Sequence, residues 1–143
     1  MSKVLTIGTF DLIHIGHIDL FTFCKRLAGE NGEAIVAVNT DEFVERYKGK
    51  KPIINANHRM DLIRSIKWVD SVYVNKGDED CKVIIDEIKP QYLVVGSDWL
   101  EKDYLKQTNL TRKYLEDNLI CVVFTPRFYD SSTIIKERIR NEA

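Results

Sequence analysis

Apolar residues along this chain fall into short continuous runs separated by longer stretches of mixed character. The runs are Val4–Gly8, Ala34–Val38, Val69–Val74, Tyr92–Val95 and Leu119–Phe124. Short apolar runs without polar alternation are the pattern of strands covered on both faces. Between them the apolar positions take a helical spacing. Helices are predicted from about Gly16 to Ala28, over His58–Ile66 with Met60, Ile63 and Ile66 on one face, and over Cys81–Ile88. The last of these stops near Lys89-Pro90, because the residue before a proline resists helical backbone. Two more helices are predicted at Asn109–Asp117 and from Ser131 to about Arg140. Gly29–Gly32 reads as a turn, and the polar stretch Asn39–Asn57 as loop with a short helix at Asp41–Arg46.

Strands that alternate with helices predict an α/β fold: a Rossmann-like, doubly wound parallel sheet, in a single domain over residues 1–143. Its crossovers are expected to be right-handed. In such sheets ligands bind at the carboxyl ends of the strands, near the switch point. Gly8-Thr9, Asn39-Thr40, Gly96-Ser97-Asp98 and Pro126-Arg127 each follow a strand, so they are expected to converge on one edge. No G-x-G-x-x-G follows the first strand, which leaves a dinucleotide-binding reading without support.

Composition narrows the partners. The net charge is -1 and 44% of the residues are hydrophobic, which suits a soluble protein and argues against broad nucleic-acid or membrane-surface binding. No apolar run approaches the length of a membrane span. The chain goes directly into a strand without a signal-peptide pattern, so a cytoplasmic location is expected. Cys24, Cys81 and Cys121 are far apart and form no metal or redox motif; with Cys24 in the first helix and Cys121 in an apolar run, they read as buried thiols in a reducing cytoplasm.

The chemistry concentrates after the first strand. Gly8-Thr9-Phe10-Asp11 makes a turn, and His14-Ile15-Gly16-His17 opens a helix. A helix start offers unpaired backbone N–H groups and a positive dipole end, and two imidazoles spaced by three share one face there. Such a site can grip a phosphoryl group as charge builds on it. Arg46, Lys48, Lys50 and Lys51 surround Gly49 before Pro52, a loop able to close over phosphates. Ser131, Ser132 and Thr133 open the last helix, where hydroxyls can cap it and bind phosphate oxygens.

Gly8-Thr9-Phe10-Asp11 with His14-x-Gly16-His17 resembles the mark of the HxGH nucleotidyltransferase superfamily. Further motifs resemble its cytidylyltransferase branch, above all the glycerol-phosphate type. Lys48-Gly49-Lys50-Lys51-Pro52 is similar to the family's Lys-Gly-x-x-Pro-like element, and Gly96-Ser97-Asp98-Trp99 to its Gly-x-Asp-Trp. The tail departs from it. Arg127-Phe128-Tyr129-Asp130-Ser131-Ser132-Thr133 is one residue shorter than the branch's Arg-Thr-x-Gly-Ile-Ser-Thr-Thr and lacks its glycine and isoleucine. Ser131-Ser132-Thr133-Ile134-Ile135-Lys136 is also similar to the Ile-Ser-Ser-Thr-x-Ile-Arg of the superfamily's adenylyltransferases.

The resemblance implies a reaction and a set of roles. A phosphate on the acceptor attacks the α-phosphorus of CTP in line, and pyrophosphate leaves. His14, His17, Lys48 and Arg127 are the implied catalytic residues: the histidines donate to the α-phosphate, and the two cations neutralise charge on either side. Gly8, Thr9, Phe10, Asp11, Gly16, Asp98, Ser131, Ser132 and Thr133 are implied at the nucleotide, with Asp11 holding the turn or orienting a histidine. Arg59, at the start of the third helical segment, is implied to face a substrate phosphate, with Lys50 and Trp99 beside it; Trp99 alternatively closes the core. Mg²⁺ is expected with the triphosphate, and no side chain is assigned to hold a metal directly. The acceptor is a small phosphorylated alcohol, with glycerol 3-phosphate the leading candidate. A homodimer is expected from the family. The alternatives are an adenylyltransferase acting on a phosphorylated cofactor precursor and a non-catalytic nucleotide-binding regulator.

Overall fold

Each of the five apolar runs forms a strand of one sheet: β1 (Lys3–Gly8), β2 (Glu33–Val38), β3 (Ser71–Val74), β4 (Tyr92–Val95) and β5 (Cys121–Phe124). The computed structural model describes residues 2–96, 104–125 and 132–142, with Ser132 and Thr133 as backbone only. The strand order is β3-β2-β1-β4-β5 and every pairing is parallel. Seven helices complete the described chain: α1 (Ile15–Ala28), α2 (Asp41–Lys48), α3 (Ala56–Arg64), α4 (Lys82–Ile88), α5 (Tyr104–Gln107), α6 (Arg112–Asp117) and α7 (Ser132–Glu142). None of the described helices is long and apolar enough to cross a membrane.

Side chains alternate across a strand, so each central strand feeds two cores. Leu5, Ile35, Ala37, Leu93 and Val95 pack against Ile84, Ile85 and Ile88 of α4, Tyr104 of α5 and Leu115 of α6. Their neighbours face the other way. Val36 and Val38 meet Phe21 of α1 and Met60 and Ile63 of α3, while Val4, Ala34 and Val94 meet Cys24 and Ala28 of α1. Covering on both faces is why these strands carry no polar alternation. Cys24 and Cys81 are buried as expected, but Cys121 is exposed, because it opens the edge strand β5. The fold is the doubly wound, Rossmann-like α/β sheet expected from the sequence.

Helix boundaries differ from their expected positions for local reasons. α2 runs to Lys48 rather than Arg46, because Gly49 stops it: its φ is 84° and its N–H donates to Glu45 O. A left-handed residue of this kind is a common helix end and favours glycine. α3 starts at Ala56 rather than His58, because Asn55 Oδ1 accepts the His58 N–H at 3.0 Å and caps the helix. α6 starts at Arg112 rather than Asn109, whose positive φ of 58° excludes it from the helix. α5 was not expected; a single turn is too short for periodicity to mark.

One feature of the sheet positions the site. β1 pairs with β2 from Lys3↔Glu33 to Gly8↔Val38, but with β4 only at Val4↔Tyr92 and Leu5↔Leu93. Beyond those pairs the Thr6 hydroxyl donates to Val94 O at 3.0 Å. β1 and β4 are also where the chain reverses its winding direction. Their carboxyl ends are therefore free of mutual pairing at the switch point, where α/β sheets take their ligands.

Gly8 closes β1 under the ring of Phe10. A Cβ on Gly8 would lie 2.8 Å from Phe10 Cζ. The ring is held by edge contacts with Phe21 at 5.1 Å and His17 at 5.4 Å. Phe10 itself sits at φ 56°, so its backbone is already committed. Gly8→Ala is expected to lower unfolding free energy by about 1–3 kcal/mol through overpacking, as measured by urea denaturation.

Candidate active site

The two imidazoles form the start of α1. His14 is the N-cap residue, in extended backbone, and its Nδ1 accepts the Gly16 N–H at 3.0 Å. His17 returns the bond: its Nδ1 accepts the His14 N–H at 3.3 Å. This is a capping box in which two histidines stand where Ser/Thr and Glu/Gln are usual. The rings stack with centroids 3.9 Å apart and planes 27° apart. Gly16 is buried between them in sequence and puts no side chain in their way.

The capping bonds settle the tautomers. Nδ1 of each ring accepts, so in the neutral state the ring proton sits on Nε2. His17 is held neutral. Burial pushes its pKa from 6.5 down to about 3, and His14 adds to that while Asp11 opposes it. Above about pH 4, His17 is thus a neutral N–H donor rather than a cation. No acidic residue occupies the first turn of α1, which leaves the positive end of the helix for an anion.

Asp11 ties three elements together. Its carboxylate accepts the Ile53 N–H at 2.7 Å and the Ile54 N–H at 2.9 Å, and pairs with Lys136 of α7 at 2.9 Å. Burial would raise its pKa, but the Lys136 bond and then the Ile54 and Ile53 donors outweigh it and hold the group below the usual value. Asp11 therefore holds the turn, as one reading of the sequence had it, and anchors the chain that leaves the basic loop.

Arg59 departs from its expected place. The resemblance put it facing a substrate phosphate, but it is 0% exposed. Nε donates to Ile54 O at 2.8 Å, Nη1 to Thr9 O at 2.6 Å and Nη2 to Asp41 Oδ1 at 2.8 Å. Each of the three guanidinium nitrogens donates to the frame of the site. Its partner Asp41 also accepts the Ala56 N–H at 3.1 Å, which joins α2 to α3. Between these helices lies a cleft of ≈ 390 Å³ lined by Thr40, Asp41, Asn55, His58 and Met60 among others.

Lys48 ends α2, and Lys50 and Lys51 are exposed on the loop beyond it. Arg46 leaves that cluster: it pairs with Glu79 at 2.8 Å and Asp78 at 3.4 Å. Gly8, Thr9, Phe10 and Asp11 line the turn between β1 and α1. Asp98, Trp99, Arg127 and Ser131 lie outside the described residues, and Ser132 and Thr133 open α7. Among the described residues no group of three His, Cys, Asp or Glu side chains is arranged to hold a metal ion.

Sequence reading places Asn39 on the ligand edge without a role, and misses Asn75. Asn39 Nδ2 donates to Thr9 Oγ1 at 3.3 Å, and Asn75 Nδ2 to Asn39 Oδ1 at 2.9 Å. Neither belongs to a motif. The available signal was that Asn39 and Asn75 each stand directly after an apolar run, at the edge where ligands bind.

A capped histidine pair, a helix end open to anions and unpaired strand ends at the switch point are the features of a phosphoryl-handling α/β protein. Comparison with known proteins identifies which. Residues 5–138 match the family model described as cytidylyltransferase-like, and the chain belongs to that family. It is 38% identical to the glycerol-3-phosphate cytidylyltransferase of Bacillus subtilis, across 97% of this chain and 98% of that one. It is 35% identical to the FAD synthase of Korarchaeum cryptofilum, across 92% of this chain and 86% of that one. A solved lipopolysaccharide core biosynthesis protein from Thermoplasma volcanium superposes with a TM-score of 0.67 at 29% identity, covering 91% of this chain and 99% of its own. The protein is a cytidylyltransferase-like nucleotidyltransferase.

Two outcomes test the frame. Arg59→Met leaves Thr9 O, Ile54 O and Asp41 without their donor. It is expected to cost about 3 kcal/mol of unfolding free energy, measured by chemical denaturation. The second concerns acid. His17 has a folded pKa of about 3 against 6.5 when unfolded, so between those values the unfolded chain binds the extra proton. Stability is then full above pH 6.5 and falls as pH drops below it. His17→Asn keeps an acceptor at the δ position and does not titrate. Its stability curve over that range should be shallower by about 1.4 kcal/mol per pH unit.

Proposed function

We propose that the protein transfers a cytidylyl group from CTP to a small phosphorylated alcohol, releasing pyrophosphate, with glycerol 3-phosphate as the acceptor. The observation that carries this reading is the pair of Nδ1-capped imidazoles at the start of α1, beside the open end of β1. The end-to-end correspondence with a glycerol-3-phosphate cytidylyltransferase supports the choice of acceptor.

In the proposed reaction an oxygen of the acceptor phosphate attacks the α-phosphorus of CTP. The bond from that phosphorus to the bridging oxygen of the β-phosphate breaks, and the electron pair leaves with pyrophosphate. No covalent enzyme intermediate is required, since positioning and charge stabilisation suffice. The Nε2–H groups of His14 and His17 donate to the α-phosphate. Because His17 is neutral, it acts as a donor through the whole working pH range and not by giving up a proton. Lys48, with Lys50 on the same loop, and Arg127 screen the phosphates from the two sides. Arg59 and Asp11 hold the loop and turn that bring these groups together. Mg²⁺ would accompany the triphosphate and supply charge neutralisation on its phosphates, with no side chain assigned to hold it.

A second reading has a specific observation behind it. The match to an FAD synthase covers most of the chain, and the sequence Ser131-Ser132-Thr133 is similar to adenylyltransferases. In that reading ATP supplies an adenylyl group to a phosphorylated cofactor precursor through the same donors.

Pyrophosphate release with CTP or ATP, Mg²⁺ and a panel of phosphorylated acceptors separates the two. Release with CTP and glycerol 3-phosphate is the expected result. Release only with ATP supports the second reading, and nucleotide binding without release under any condition overturns both. In the productive assay, His17→Asn is expected to lower kcat at least about a hundredfold, the typical loss for one donor to a developing negative charge. The variant keeps its cap and its fold; wild-type turnover from it would remove His17 from the mechanism.

A further inference from the structure

Three polar side chains stand side by side on the carboxyl edge of neighbouring strands. Thr9 follows β1, Asn39 follows β2 and Asn75 follows β3. Asn75 is buried, and its Nδ2 donates both to the backbone oxygen of Asp78 and to Asn39 Oδ1, each at 2.9 Å. Asn39 Nδ2 in turn donates to Thr9 Oγ1 at 3.3 Å.

The direction of every bond in this row is set from one end. A backbone carbonyl only accepts, so Asn75 must turn its amide nitrogen toward Asp78 O. That same nitrogen meets Asn39, which must then present its oxygen. Asn39 is left with its nitrogen toward Thr9, whose hydroxyl oxygen must accept. With Asn39 donating to that oxygen, the Thr9 proton points away from Asn39. The Thr9 backbone is fixed as well, since its carbonyl accepts from Arg59 at 2.6 Å.

The Asn75 amide has two duties, holding Asp78 O and setting which end of Asn39 faces it. Among the described residues its buried Oδ1 has no hydrogen-bond partner, which offsets part of what the two donated bonds contribute. The bond to Asp78 O is structural; the bond to Asn39 is the one that reaches the site.

We infer that Asn39 and Asn75 are positioning residues that commit the Thr9 hydroxyl to donate a hydrogen bond to the phosphoryl group being transferred. This rests on the nucleotidyl-transfer reading above. Were Asn39 to present its oxygen instead, the threonine hydroxyl could spend its single proton there rather than on a phosphate oxygen, which only accepts. Only the proton stabilises the charge that builds there.

The test is a set of double-mutant cycles read by pyrophosphate release. Asn75→Leu and Asn39→Leu are neutral changes of similar shape. Each is expected to lower kcat about tenfold, with little change in KM for the nucleotide. In a Thr9→Val background the same changes should alter kcat by less than about twofold, because nothing remains to be oriented. A Thr9→Ser background keeps the hydroxyl and should keep the tenfold loss. Asn75→Leu also leaves Asp78 O without its donor and is expected to unfold at a somewhat lower temperature, so its turnover is measured well below that transition. Should it fail to fold, Asn39→Leu completes the cycle. Equal losses in the wild-type and Thr9→Val backgrounds overturn the inference, as does unchanged turnover in both single variants. A wild-type chain that transfers no nucleotidyl group overturns the reading of the previous subsection and this one with it. Transfer with additive losses overturns this inference alone.

Discussion

The buried guanidinium of Arg59 is the interaction on which the site depends. It reaches the turn after β1, the chain entering α3 and the first turn of α2 through three separate N–H donors. None of those segments is long enough to hold its shape alone. A charge placed inside a protein is favourable only when its donors are satisfied and its charge is met, and here both hold: two carbonyls and one carboxylate receive it. Asp11 does the complementary work from the other side with an anion, accepting from Ile53 and Ile54 and pairing with Lys136. An arginine and an aspartate of the motif region thus cross-brace one loop. The half-buried histidines and the exposed lysines keep their places because the charges beneath them are fixed.

The sheet and the frame divide the labour. Pairing of β1 with β2 along the whole strand fixes the turn carrying Thr9 relative to Asn39, while the short pairing with β4 leaves room at the switch point. Burial on both faces keeps that arrangement stiff. The cores reach up to Phe10, whose ring contacts both Phe21 of the core and His17 of the site. Packing and chemistry meet at that ring, so the position of His17 follows from the core rather than from the loop around it.

What could be read from the sequence follows the range of the forces involved. The five strands were legible because each is a continuous apolar run, and the histidine pair because its motif is local and spaced by a helical turn. The place of Arg59 was not. Its position at a helix start suggested an outward-facing cation, and only the fold brings Thr9 O to within 2.6 Å of it. Arg46 was grouped with the lysines of its own loop, whereas its partners Asp78 and Glu79 lie after a different strand. Asn39 and Asn75 are neighbours only because β2 and β3 pair in register, Val38 against Val74. Partnerships between distant segments carry no periodicity and no motif, so the sequence alone does not disclose them.

The imidazole cap has a consequence for how such chains change over generations. Residues used only for turnover normally drift once turnover is no longer needed, since the fold gains nothing from them. Here the atoms that would touch substrate share their rings with the atoms that start α1. A lineage that abandoned catalysis but still needed a folded nucleotide binder would remain under pressure to keep His14 and His17. Wherever a relative keeps the pair, that would record two demands, and by itself it would not distinguish a working enzyme from a descendant that only binds.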